Sequence, residues 1–174
     1  MSSPPDFESL VKAHSAELFA YLWRMLRETP DAEDCLQETF LRAYRAYPRL
    51  DAQANYRAWL YKIATNAART YLKRRGRIAA QTVDLDPDLQ HDDVSLLDRI
   101  DQRQKLAAVA QAVEALPYQQ RAALIMRKYQ ELSYAEIAVT LDCTQDAARA
   151  NVYQAVKKLR AQFVEAPDQV EAVQ

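Results

Sequence analysis

A single glycine, Gly76, in 174 residues restricts this chain more than any other feature. A soluble chain of this length usually carries roughly 7% glycine, about a dozen residues. Two-residue β-hairpins depend on residues that accept positive φ, so they have few hosts here. Alanine, leucine, arginine and glutamine are abundant and all favour helices. The sequence therefore predicts an all-α protein, and its length allows one domain or two small ones. No uncharged stretch approaches the roughly 20 apolar residues of a membrane span, and Met1 to Leu10 shows no basic region followed by an apolar one. The expectation is a cytoplasmic chain with no membrane insertion. Cys35 and Cys143 lie far apart, without the short spacing to Cys or His that a zinc site needs. Both are expected to be ordinary, half-buried residues; no metal site and no cofactor are implied.

The formal charge of −1 conceals a block structure. Residues 1–41 carry a net −5, 42–77 a net +9, 78–101 a net −6, 102–164 a net +4 and 165–174 a net −3. Blocks of this size suit surfaces that meet partners of opposite sign, with nucleic acid the natural counterpart of the +9 block.

Helical spacing then places the elements. Phe7, Leu10, Val11, His14, Leu18, Tyr21, Leu22 and Met25 form one stripe, with Pro30 expected to end the helix. His14 on that stripe is expected to be a packed boundary residue. A second helix is expected from near Asp31 to Pro48, with Glu33 and Asp34 complementing its N-terminal dipole and with Leu36, Phe40, Ala43, Tyr44 and Tyr47 inward. A third is expected from about Asn55 to Arg75. Residues 77 to 93 lack sustained periodicity and hold five acids and a proline, the composition of a flexible, extended linker. Beyond it a helix is expected from about Ser95 to Ala115, and Pro117 suits the first turn of the next one. This divides the chain into an N-terminal helical domain (1–76), an acidic linker (77–94), a second helical domain (95–164) and a tail (165–174).

Ser133 and Glu136 are spaced as a capping box, followed by Tyr134, Ile137, Ala138 and Leu141 on one face. A turn at Asp142-Cys143 leads to Thr144 as N-cap of a longer helix whose buried stripe is Ala148, Val152, Ala155, Val156, Leu159 and Phe163. Short helix, tight turn and long helix make a helix-turn-helix, whose second helix enters the major groove. Thr144, Gln145, Arg149, Tyr153 and Lys157 are the candidate contacts there. Geometry nominates Gln145 and Arg149 for bases and Lys157 for phosphate.

The third helix has two faces. Tyr56, Trp59, Leu60, Ile63, Ala64, Ala67 and Tyr71 form a packing stripe, whereas Lys62, Thr65, Asn66, Arg69 and Lys73 form a polar one. Lys73, Arg74, Arg75 and Arg77 then put four cations within five residues. Aromatics at the start of a basic helix suit opened DNA, where a base leaves the stack; Tyr56 and Trp59 could instead fill the core, which suits Trp59 at least as well.

Asp31 to Tyr44 (DAEDCLQETFLRAY), Arg57 to Asn66 (RAWLYKIATN), Leu116-Pro117 and Leu132 to Ala138 (LSYAEIA) resemble the region 2 and region 4 signatures of extracytoplasmic-function sigma factors, the small two-domain members of the sigma-70 family. The resemblance spans roughly residues 7 to 164. It implies a region 2 helical bundle and a region 4 helix-turn-helix joined by the acidic linker, with core RNA polymerase, promoter DNA and an anti-sigma factor as partners. On that pattern Asp31, Asp34, Gln37 and Glu38 dock on the polymerase clamp helices. Tyr56, Trp59, Lys62, Asn66, Arg69, Lys73, Arg74, Arg75 and Arg77 serve the downstream promoter element, with Asn66 at the base pocket. Thr144, Gln145, Arg149, Tyr153 and Lys157 serve the upstream element, and the linker threads toward the active-site cleft.

The sequence departs from the family where Asn151 and Gln154 replace usual basic residues, where Asp146-Ala147-Ala148 replaces a frequent Gly-Thr-Val, at Asp142 and at Thr70. The recognition helix is thus less basic than is usual. A free-standing helix-turn-helix regulator would leave the acidic helix and the basic third helix unexplained, and a sigma mimic would bind only an anti-sigma protein. An enzyme is disfavoured, because two His, two isolated Cys and one Gly assemble no nucleophile, base and oxyanion site.

Overall fold

The computed structural model describes residues 4–81 and 97–164, and the regular elements among the described residues are all helices, with no strand. Helix α1 runs Phe7–Leu26, capped by Asp6, whose carboxylate accepts from the Ser9 amide at 2.9 Å. Hydrogen bonds from Ser9 hold the Asp6 carboxyl below its usual range. Arg27, at φ 64° in the left-handed region, closes the helix. Pro30 therefore does not end α1 as expected. It lies in the first turn of α2 (Thr29–Ala46), where its missing N–H costs nothing. Pro48 sits in a 3₁₀ turn, Tyr47–Arg49, after α2.

Helix α3 is Tyr56–Gln81. It runs five residues past the boundary expected at 76, because one glycine in a helix costs only about 1 kcal/mol relative to alanine and good helix formers surround it. The remaining linker positions, 82–94, and the tail from 165 lie outside the described residues. Helices α4 (Leu97–Glu114), α5 (Tyr118–Lys128), α6 (Tyr134–Leu141) and α7 (Gln145–Val164) follow. The capping box is formed, with Glu136 N donating to Ser133 Oγ and Ser133 N to Glu136 Oε2 at 2.8 Å. Asp142 takes the left-handed conformation that closes α6.

Leu18, Tyr21, Leu22 and Met25 of α1 pack on Ala32, Cys35 and Ala43 of α2 and on Leu60, Tyr61, Ala64 and Ala68 of α3. Cys35 is fully buried rather than half-buried, and burial pushes its thiol pKa up to about 11. Cys143 is half-buried. In the second half Ile125, Met126, Leu132, Ile137, Ala148 and Val152 are buried, and a smaller cluster gathers Leu116, Leu124 and Ala155. Tyr44, expected inward, is 65% exposed, because its ring lies edge-on to Phe7 at the rim. Phe163 is likewise exposed near the end of α7.

The two halves share one buried cluster: α6 packs on α3, and α5 on α1. Thr140 Oγ1 donates to Ala58 O at 3.3 Å, Asn55 Nδ2 to Glu136 Oε1 at 3.3 Å and Tyr118 OH to Thr65 O at 2.5 Å. This second packing partner explains why Ala58, Tyr61 and Thr65 of α3 are buried although its periodicity shows a single apolar stripe. Thr65, expected on the polar face, instead joins the core, its hydroxyl 2.8 Å from Tyr21 OH. Burial raises the Tyr21 and Tyr61 phenol pKa values well above the ordinary value, so both rings stay neutral.

Candidate nucleic-acid interface

The C-terminal end of α2 and the first turns of α3 enclose a recess of about 350 Å³ lined by Arg42, Ala46, Trp59, Lys62, Ile63 and Asn66. Trp59 is half-buried, so its ring serves both the core and the recess, while Asn66 is exposed. Two cations, an amide and an indole around one concavity can hold an unstacked base and its phosphate. Arg42 was not singled out from the sequence, because its place in the recess depends on how α2 crosses α3. Its Nε also donates to Glu38 Oε1 at 2.6 Å, one turn back. Tyr56 lies apart from the recess, its hydroxyl donating to Ala52 O at 3.1 Å and its ring 6.4 Å from that of Tyr47.

Further along α3, the Arg69 guanidinium stands over the Tyr118 ring, 4.8 Å from its centroid. Lys73, Arg74 and Arg77 are exposed. Arg75, also exposed, is tethered by donating to Leu26 O at 3.2 Å and Asp31 Oδ2 at 3.1 Å. Asp31 also accepts from Tyr71 OH at 2.7 Å, and that hydrogen bond to the carboxylate pushes the Tyr71 pKa up to about 12. Asp31 and Arg75 thus tie α2 to α3, whereas Asp34, Gln37 and Glu38 are exposed on α2.

On α7, Gln145, Arg149, Tyr153 and Lys157 are exposed, opposite the buried Ala148, Val152 and Ala155. Thr144 Oγ1 accepts the Ala147 amide at 3.1 Å, the N-cap expected of it. Arg149 lies against the Tyr134 ring, 5.3 Å from its centroid, and 3.5 Å from Asp146. Its planar guanidinium is thereby held near the start of the helix that would enter a groove.

Residues 10–78 match the family described as Sigma-70 region 2, and residues 106–159 match Sigma-70, region 4. Over 133 residues the chain is 32% identical to the ECF RNA polymerase sigma-E factor of Escherichia coli (strain K12), spanning 72% of this chain and 70% of that protein. The chain belongs to the sigma-70 family. Within the family it groups with the extracytoplasmic-function factors. It is also 29% identical over 157 residues to the RNA polymerase sigma-H factor of Pseudomonas aeruginosa, across 86% of this chain and 81% of that one. The sigma factor RpoE of Bartonella quintana, solved in complex with the anti-sigma factor NepR, shares the fold at a TM-score of 0.68 and 22% identity, covering 92% of this chain and 98% of that one. In this sigma-70 family member the recess and the acidic side of α2 fall in region 2, and the exposed face of α7 in region 4. No described helix is long and apolar enough to cross a membrane.

Proposed function

We propose that the protein is an alternative sigma factor that binds core RNA polymerase and directs promoter-specific initiation, acting by docking and DNA distortion rather than by catalysing a reaction. The observation that carries this reading is the recess between α2 and α3, where Trp59, Asn66, Lys62 and Arg42 converge on the same unit that presents the acidic side of α2. A duplex-binding regulator has no use for a base-sized basic recess away from its helix-turn-helix.

In this reading Asp34, Gln37 and Glu38 meet a basic polymerase surface, with Asp31 acting through its hold on α3. Asn66 offers both a donor and an acceptor to an extruded base edge, Trp59 a stacking surface, and Lys62, Lys73, Arg74 and Arg77 the phosphates. Arg69 joins them only when it leaves Tyr118. Arg75 fixes the base of the helix. Gln145, Arg149 and Tyr153 face the upstream element and Lys157 its backbone, while Thr144 sets the start of α7. The setting is the cytoplasm, and by likeness to the RpoE and NepR pair an anti-sigma factor holds the protein in reserve.

The test is size-exclusion chromatography of the full chain with sigma-free core polymerase, followed by gel shift on promoter fragments. Co-migration with core, and promoter-dependent shifting only in its presence, are the expected results. A shift on duplex DNA without core, and no co-migration, would contradict the proposal.

A further inference from the structure

A second groove, of about 700 Å³, runs between α3 and the start of α5, separate from the base-sized recess. Arg69 and Lys73 line it from α3, and Tyr118, Gln119 and Arg121 from α5; no carboxylate is among its lining residues. The start of α5 has no side-chain cap and no acidic residue in its first turn. Its first intrahelical bond runs from Arg121 N to Pro117 O at 2.9 Å, so the amides of Tyr118, Gln119 and Gln120 are the helix's free donors.

Arg121 is the decisive residue. It is 7% exposed, yet its Nε has no hydrogen-bond partner among the described residues. Nη1 reaches only the Glu114 carbonyl, at 3.3 Å. The Glu114 carboxylate contacts Arg27 at 3.5 Å. Burial lowers the Arg121 pKa, the sign expected of a cation held short of counter-charge. Its guanidinium and that of Arg69 stand against the same Tyr118 ring, 5.9 and 4.8 Å from its centroid. A buried arginine whose Nε is both shielded from solvent and unpaired, in the wall of a groove beside two more cations and an uncapped helix start, has the make-up of an oxyanion site.

We propose that this groove binds a small phosphate anion of the diphosphate class, held by Arg69, Lys73 and Arg121 and by the N-terminal amides of α5. Three cations favour two linked phosphoryl groups over one. Because the ligands come from α3 in region 2 and α5 in region 4, the anion ties the two halves together and occupies two cations of the basic helix.

Isothermal titration of the full chain with pyrophosphate tests this, with orthophosphate and sulfate as comparisons at equal ionic strength. Saturable one-to-one binding is expected, tighter for pyrophosphate than for orthophosphate or sulfate, with a rise in Tm. Affinity should fall roughly tenfold or more in Arg69→Gln and in Lys73→Gln, as in Arg121→Gln. The first two positions are solvent-accessible, so they decide the matter if Arg121→Gln does not fold. The site is overturned by no saturable binding, by equal response to sulfate (an adventitious ion only), or by affinity unchanged in the α3 variants. Displacement of pyrophosphate by a random-sequence duplex with the same residue dependence would assign the groove to backbone phosphate and overturn the small-anion site.

Discussion

Arg57 sets two donors on one oxygen of Glu17: its Nε lies 2.9 Å and its Nη2 2.8 Å from Glu17 Oε2. The same Nη2 reaches Gln130 O at 2.7 Å, so one guanidinium joins α1 and α3 to the turn after α5. Tyr61 OH donates to Glu17 Oε2 at 3.0 Å and lies 3.2 Å from Gln130 Oε1, and His14 Nδ1 lies 2.5 Å from Glu17 Oε1. Burial pushes the Glu17 pKa up, but hydrogen bonds from Arg57, His14 and Tyr61 outweigh it and hold the carboxyl below its usual range.

Replacing either partner should loosen the two halves. Arg57→Ala leaves Glu17 and Gln130 O without their main donor, a loss of roughly 1–3 kcal/mol for partly buried groups. Hydrogen exchange should accelerate across Tyr129 to Glu136 and along the start of α3. Since the folded pKa of Glu17 is depressed, its stabilisation is complete above the unfolded carboxylate pKa and is lost as pH falls through the folded one. Glu17→Gln should therefore be less stable at neutral pH and lose less stability between neutral and acid conditions than the parent, by thermal melting. Equal acid sensitivity would remove Glu17 from this role.

Asp34→Arg with Glu38→Arg should abolish co-purification with core polymerase while the melting temperature stays close to the parent's. Both side chains are exposed, and the Glu38–Arg42 pair on one helix face is worth only tenths of a kcal/mol. Reversing charge at a docking surface costs several kcal/mol by order of magnitude. Undiminished co-purification would show that polymerase meets another face.

Arg149→Ala and Lys157→Ala should fail differently. Loss of an arginine at a guanine edge costs roughly 1–3 kcal/mol and relaxes preference at that position. Loss of a phosphate contact weakens all sequences alike and flattens the salt dependence. Matched and scrambled upstream elements titrated at several salt concentrations separate the two, and equal loss on both for Arg149→Ala would contradict base reading.

The helices, the capping box and the Asp142 turn were legible because each depends on residues within one or two turns of one another. The face of α7 was legible for the same reason: one stripe is buried and the other exposed. The roles of Thr65, Asp31, Arg75 and Arg57 were not, since each is set by a residue about forty or more positions away. Periodicity identifies one packing face per helix, and α3 has two because region 4 lies against it. Arg42 and Arg121 were missed because crossing helices, not spacing, bring them to a recess and a groove.

Asn66→Ala should leave polymerase binding and upstream recognition intact but slow opening of the downstream element, because alanine offers nothing to an extruded base edge. Asn66 is exposed, so the fold should be unaffected. A promoter with a pre-melted downstream bubble should recover part of the rate, the unpairing cost of a few kcal/mol having been removed. Permanganate footprinting reads the bubble, and a normal bubble in the variant would count against the pocket.

Run-off transcription with sigma-free core polymerase tests the central claim most directly. The full chain added to core should yield discrete transcripts from a restricted set of promoters, with none from core alone, and the Asp34→Arg, Glu38→Arg variant should yield none. Absence of any promoter-specific transcript from a chain that still binds an anti-sigma protein would contradict the account and leave a sigma mimic in its place.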